Sequence, residues 1–357
     1  MEIKQRLLDN YKGKKVFVTG HTGFKGSWML AVLKTLGAEV KGYALAPEGS
    51  PNLYELIDGD KLCASILADI RHKEKLEEEI HHFQPDFIFH MAAQSLVRVS
   101  YDKPVETFET NVLGTTYLLE AVRKLNKQCS VVVVTTDKVY ENRETWDAYK
   151  EDEPLGGFDP YSSSKAAAEI VTASYRKSFF KPDHYATHKK AIASARAGNV
   201  IGGGDWAIDR IIPDLVRAFS NDETLIVRNP ESVRPWQHVL EPVCGYLLLG
   251  AMMHQSPEKF ATAFNFGPME ADNLRVKELV EKSLKIWVSG SYKELVDKNA
   301  PHEAGLLRLD IGKAMKELGW KPRWNSEKAL EMTLNWYKNY KADPLIITEN
   351  QIGEYLG

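Results

Sequence analysis

The 357 residues carry 46 basic and 49 acidic side chains, a formal net charge of −3, which excludes the broad positive field that a general nucleic-acid binder needs. Three cysteines lie far apart (Cys63, Cys129 and Cys244) and ten histidines fall in no HExxH pattern, so no disulfide framework and no metal site is expected. The N-terminus, MEIKQRLLDNYKGKK, is charged and has no apolar signal-peptide core, and the apolar stretches are too short to span a bilayer. The expectation is a soluble cytoplasmic protein with neither a membrane nor a nucleic-acid partner.

In chain order, β-rich runs at 15–20 (KVFVTG), 39–45, 63–69, 87–93 (FIFHMAA), 131–136 (VVVVTT) and 191–201 alternate with helical spacing over 24–36, 72–83, 105–126 and 161–179. Strands alternating with helices imply βαβ units and a parallel sheet covered on both faces. The texture changes near residue 202, at GGGDWAIDRIIPD, and again in the proline-punctuated stretch 229–242. The expected fold is α/β: a Rossmann-type doubly wound parallel sheet with a smaller mixed α/β C-terminal domain. Residues 1–200 would form the first domain, with 238–265 returning to it, and 201–237 with 266–357 the second.

The first strand runs straight into TGHTGFKG, with Gly20, Gly23 and Gly26 three apart before an apolar helix. Glycines at such a turn let the backbone approach a pyrophosphate, whose charge is met by free N–H groups and the helix dipole. A nucleotide cofactor is expected on this loop, Thr22, Phe24 and Lys25 included. The second strand ends GYALAPEG, without the acid that holds an adenosine ribose and without an arginine cluster for a 2′-phosphate. The missing arginines favour NAD. Asp69, at the end of the third strand, can accept from the adenine amino group or serve as a turn residue.

The run VVVVTTDKVY brings Thr135, Thr136, Asp137 and Lys138 to the tip of a buried strand, where a parallel sheet faces its ligand crevice. The same residues also suit a plain strand-end turn. Further on, DPYSSSK places Tyr161 and Lys165 four apart on one face of a helix. A tyrosine becomes a base only if its pKa, about 10 when free, falls by several units. A neighbouring ammonium and a positive nicotinamide ring can lower it together.

With TGHTGFKG, DIR, HMAAQ, NVLGT, TTDKVY, YSSSK and RAGNVIGGGDW in this order, nearly the whole chain resembles the extended short-chain dehydrogenase/reductases, the group of nucleotide-sugar epimerases and dehydratases. The resemblance implies a hydride-transfer set of Thr136, Tyr161 and Lys165, with Tyr161 as base, and an Asn111 that helps hold the active-site helix and proton relay. Asp69 and Ile70 in DIR and Ala92 and Ala93 in HMAAQ would lie along the cofactor. The stretches TGHTGFKGSW, AGNVIGGGDWA, RNPESVRPWQHVLEP and PHEA followed by LGWKPRW look like the branch of 4,6-dehydratases that take a cytidine-linked hexose for deoxysugar synthesis. Thr135 and Val139 depart from that pattern, where Ser and Cys are expected.

Dehydration needs more than hydride transfer. Asp137 would protonate the departing C6 oxygen. Lys138, where many relatives have Glu, would take the C5 proton once burial and nearby positive charge lower its pKa. At the substrate end, Arg234, with Arg210 and Asn199, would meet the pyrophosphate. Trp236, His238, His302 and Glu303 read the base or simply pack, and Gln94 and Arg98 face the sugar. Relatives pair through two long helices, so 105–126 and 161–179 imply a homodimer or a dimer of dimers. The rival readings are a dehydratase or 4-epimerase for another nucleotide sugar and a non-catalytic dinucleotide-binding protein.

Overall fold

The β-rich runs become β1 (Lys15–Thr19), β2 (Glu39–Ala44), β3 (Ala64–Leu67), β4 (Phe87–His90), β5 (Cys129–Val134) and β6 (Lys190–Ala197) in the computed structural model, which describes residues 3–295 and 306–357. His302 and Glu303 lie outside the described residues. A strand not read from the sequence, Ala263–Phe266, completes a seven-stranded sheet in which it is followed by β6, β5, β4, β1, β2 and β3, every pair parallel.

β4 and β5 are buried at every residue, which is why they read as unbroken apolar runs rather than as alternation. Successive residues feed opposite layers. Phe17, Ile88, Val131 and Val133 pack with Ile80, Leu118 and Leu119, whereas Val16, Val18, Phe87, Phe89, Val132 and Val134 pack with Met29, Leu247 and Leu248. The helices Phe24–Thr35, Lys73–Phe83 and Pro160–Ser178 lie where the spacing predicts them. The predicted helix over 105–126 instead divides into Pro104–Phe108, a π-helical turn Glu109–Leu113 and Gly114–Arg123. That turn holds Asn111 buried, at 1 % exposure.

Chain order reverses between β1 and β4, and ligands of doubly wound sheets bind at such a point. The two loops leaving these strands touch. Gly20 sits at φ +76°, and a Cβ there would lie 2.7 Å from the Ala92 nitrogen.

The later part of the chain contributes short pairs: Val200–Ile201 with Gln237–His238, Val233–Arg234 with Leu274–Arg275, and Thr224–Val227 with Ser291–Glu294. The helix Leu240–Gln255 returns to the large sheet and is buried along nearly its whole length. Among the described residues no helix is long and apolar enough to cross a membrane.

Gly203 is where the helix Phe24–Thr35 meets the helix Ser326–Asn339. Its carbonyl accepts from Trp28 Nε1 at 3.0 Å, and a Cβ would fall 2.0 Å from Trp336 Cγ. Gly203→Ala should therefore cost about 1–3 kcal/mol or more through overpacking. Gly353→Ala, in a helix with nothing within 4 Å of the new Cβ, should gain about 0.5–1 kcal/mol. Urea unfolding of the two variants checks both signs.

Candidate active site

At the end of β5 the chain makes a tight turn, Asp137–Val139, capped by the Thr136 hydroxyl, which accepts from the Lys138 N–H at 3.4 Å. The same hydroxyl donates to Asp137 Oδ1 at 2.9 Å. Lys138 Nζ lies 3.8 Å from that oxygen, on the more exposed side. Across the carboxylate stands Gly198, whose absent Cβ would come 3.0 Å from Asp137 Oδ2. Glycine in RAGNVI thus gives the buried carboxylate its space.

The helix Pro160–Ser178 supplies the second wall. Asp159 caps it by accepting from the Ser162 N–H at 2.9 Å, and Pro160 occupies the first position, where no N–H is needed. Tyr161 is then anchored through its backbone N–H on Ser100 Oγ at 3.1 Å. One turn later, Lys165 Nζ donates to the Val134 carbonyl at 2.8 Å, which ties the ammonium to the last residue of β5. Burial lowers Lys165 to about 8 and pushes the Tyr161 phenol up to about 12, against a smaller downward pull from the neighbouring Thr136 side chain. Positive charge beside the phenol would lower it.

Behind this front lies a buried network. Glu169, four residues past Lys165, accepts from Thr135 Oγ1 and Ser194 Oγ, each at 2.6 Å, and from Arg196 Nε and Nη2, each at 3.0 Å. Arg196 also donates to the Tyr140 hydroxyl at 2.8 Å, and that hydroxyl donates to Asn265 Oδ1 at 2.7 Å. On the other side, the Asn111 amide donates to the Gln94 carbonyl at 3.0 Å and Ser164 Oγ at 2.8 Å and accepts from the Gln94 N–H at 2.9 Å.

The glycine loop can be tested for a dinucleotide residue by residue. A Cβ at Gly26 would lie 2.1 Å from the Gly20 oxygen, so packing within the protein accounts for both. At Gly23 the nearest such atom is at 3.5 Å, an ordinary contact, so the fold itself leaves space there. The helix that starts at Phe24 has no side-chain cap and no acid in its first turn. Its free N–H groups and the open face at Gly23 fit a pyrophosphate. Thr22 Oγ1 is turned away to the Leu45 carbonyl at 2.9 Å. The Phe24 ring reaches the Gly202 backbone, and Ile70 is buried against Gly114. The Ala92 N–H donates to Thr19 Oγ1 at 3.1 Å, and Ala93 follows it half-buried. Asp69 is clamped by Arg71, through the backbone N–H at 2.8 Å and Nη2 at 2.6 Å, which holds its carboxyl below the usual range.

Toward the substrate side the arginines are already matched with acids. Arg210 Nη1 donates to Asp205 Oδ2 at 2.8 Å, and Arg98 lies 3.7 Å from Asp209. Arg234 donates to the Val233 carbonyl at 3.2 Å, and the Asn199 carbonyl accepts from the Gln237 N–H at 3.3 Å. The Gln94 amide is spent on Leu96 and Thr107. Trp236 is buried, its indole N–H without a partner among the described residues. His238 lies in the core, edge-on to Trp28 and Trp324 at 5.5 and 4.9 Å, and burial drops it to about 3.

Three features escaped the sequence reading. Glu169 and Arg196 could have been suspected only from the place of Glu169 one turn beyond Lys165. Tyr246 had no signal: it is fully buried on the helix Leu240–Gln255, its hydroxyl has no partner among the described residues, and Lys25 Nζ lies 5.9 Å from its ring centroid. Burial, with the charges of Arg210 and Lys165, lowers Lys25 to about 8.

The doubly wound parallel sheet with the glycine loop at its reversal point is the fold of the extended short-chain dehydrogenase/reductases. The family described as GDP-mannose 4,6 dehydratase matches residues 17–333, and the chain belongs to it. It is 48 % identical over 348 residues to a CDP-glucose 4,6-dehydratase of Salmonella typhimurium, covering 97 % of each chain. Among solved structures it is similar to a dTDP-glucose 4,6-dehydratase of Streptomyces venezuelae with NAD bound, at a TM-score of 0.75 and 25 % identity, covering 93 % of this chain and 99 % of that one. A dTDP-glucose 4,6-dehydratase of Bacillus anthracis in complex with NAD gives 0.76 at 23 %, covering 92 % and 97 %.

Glu169→Ala should destabilise the protein by about 3–5 kcal/mol, because Arg196 is left as an uncompensated buried charge. Replacing the pair together, Glu169→Leu with Arg196→Met, should cost much less. Urea unfolding of the three proteins separates the pair's electrostatics from its packing.

Proposed function

We propose that this chain converts CDP-glucose into CDP-4-dehydro-6-deoxyglucose, with NAD as a cofactor restored in every cycle. The observation that carries the reading is the meeting, at the end of β5, of a hydride-transfer set with a separate buried acid, Asp137, and its neighbour Lys138. An epimerase has to oxidise and re-reduce one carbon and has no use for a second acid–base pair. A dinucleotide held at Gly23 and the helix start at Phe24 would supply the hydride acceptor for C4 and the donor for C6.

The residues divide the remaining work. The free helix N-terminus at Phe24 and the open face of Gly23 hold the cofactor pyrophosphate. Tyr161 takes the 4-hydroxyl proton, and the Lys165 ammonium stabilises the phenolate this requires. The C4 ketone acidifies the C5 hydrogen, which Lys138 removes while Asp137 protonates the C6 oxygen as it leaves. Lys138 then returns its proton to C5. Arg234 and Arg210 meet the substrate pyrophosphate, the latter by exchanging its pairing with Asp205.

Residues 1–200 with 238–265 serve as the cofactor domain, and 201–237 with 266–357 as the substrate domain. Exposed Val105, Phe108, Leu113 and Ile170 lie on the segments 104–123 and 160–178, and their burial in a homodimer explains why apolar side chains face outward there. The product is an intermediate of deoxysugar synthesis, made in the cytoplasm.

Purified protein with NAD, incubated separately with CDP-, dTDP-, UDP- and GDP-glucose, should remove one water from CDP-glucose alone, read by mass spectrometry. An unchanged mass in every tube contradicts the assignment. In Asp137→Asn, C4 oxidation, followed through nicotinamide absorbance, should persist while water loss slows by about 10²–10⁴-fold.

A further inference from the structure

Asp209 brings two arginines to a single oxygen. Arg228 Nη2 donates to its Oδ1 at 2.7 Å, and Arg98 Nη1 lies 3.7 Å from the same atom. The two arginines come from distant parts of the chain. Arg98 is on the short helix Val97–Asp102, which follows β4 and carries Ser100, the residue whose hydroxyl oxygen accepts from the Tyr161 backbone N–H at 3.1 Å. Arg228 follows the strand Thr224–Val227, in the half of the chain proposed to hold the substrate. The three charges therefore join the element that anchors Tyr161 to the substrate half.

Two guanidiniums around one carboxylate leave positive charge in excess. Arg98 makes no hydrogen bond among the described residues, so its donors remain available. The second acid near Arg228, Asp214 at 4.0 Å, already accepts from Arg217. Asp209 itself is tied only by these arginines: its other carboxylate oxygen has no hydrogen bond among the described residues. The side chains of Arg98, Asp209 and Arg228 are 37, 38 and 33 % exposed, so a dissolved anion can reach them.

Resting on the dehydratase reading, we propose that Arg98 and Arg228 are a phosphate clamp of the substrate site, which Asp209 fills in the free protein and yields to the diphosphate of the nucleotide sugar. A phosphoryl group offers several acceptor oxygens where Asp209 offers one, so both guanidinium forks can bond it at once. The exchange is of ion pairs only, and the displaced carboxylate turns to solvent. It also sets specificity. An anion must outcompete a tethered carboxylate, which disfavours weakly held monoanions and admits a diphosphate that meets Arg234 and Arg210 as well.

The test is calorimetric titration with CDP and with inorganic pyrophosphate at constant ionic strength. The proteins are wild type, Asp209→Asn, Arg98→Gln with Arg228→Gln, and the triple variant. Asparagine suits the left-handed backbone at residue 209, φ +64°, and removes only the charge. Asp209→Asn should bind both probes about three- to tenfold more tightly, the gain expected from no longer breaking two part-exposed ion pairs. The double arginine variant should bind them at least about tenfold more weakly, and adding Asp209→Asn to it should bring no gain. Asp222→Asn removes the same charge at an exposed residue of φ +55° with no ion pair among the described residues, and should change either affinity by less than about twofold. An unchanged or weaker affinity in Asp209→Asn overturns the clamp. So does an equal gain in Asp222→Asn, or a gain that survives loss of both arginines. A wild type that fails to bind CDP, while pyrophosphate still shows the Asp209→Asn gain, supports the clamp and contradicts the cytidine reading.

Discussion

The buried ion pair between Glu169 and Arg196 is the constraint on which the site depends. Glu169 rides on the helix that carries Tyr161 and Lys165. Its carboxylate holds the Thr135 hydroxyl at the tip of β5 and the Ser194 hydroxyl on β6. Arg196 extends the same bonds to Tyr140 and, through it, to Asn265 on the seventh strand. A buried pair of this kind adds little net stability, since desolvation offsets much of the attraction. Its contribution is registry: the helix cannot slide along the sheet without leaving a charge unpaired. Tyr161 and Thr136 belong to separate elements, so their reach depends on that registry.

On this frame the catalytic groups differ mainly in what surrounds them. Tyr161 and Lys165 are both pushed toward their neutral forms by burial, so the base role proposed for Tyr161 calls for added positive charge at the phenol, which a cofactor on the glycine loop would bring. Asp137 is held by Gly198 on one side and Thr136 on the other. In the proposed mechanism, dehydration adds one acid, Asp137, at the end of the strand that leads into Thr136.

Much of the nucleotide-binding half was legible because its signals are local. The valine run of β5, the apolar FIFH of β4 and the glycine loop after β1 each declare an element within a few residues. AFNF at 263–266 did not, being four residues between a long helix and a turn, with no periodicity to separate it from a loop. The π turn at Asn111 was hidden because one added residue changes the direction of a side chain without changing composition. Glu169 and Arg196 are ordinary charges in the sequence, and only the fold shows that they face each other in the core. His238, in a proline-punctuated stretch beside Trp236, leaves ligand reading and packing equally open in the sequence, and only the fold shows two tryptophans from distant segments enclosing it.

The central claim is that hydride leaves C4 and returns at C6 of the same sugar, with water lost between. The most direct measurement is to supply CDP-glucose carrying deuterium at C4 and to locate the label in the product by NMR. The account predicts a 4-keto product with deuterium in the C6 methyl group and none lost to solvent. Deuterium still at C4 of an epimerised sugar, or washed out of the product, would contradict it.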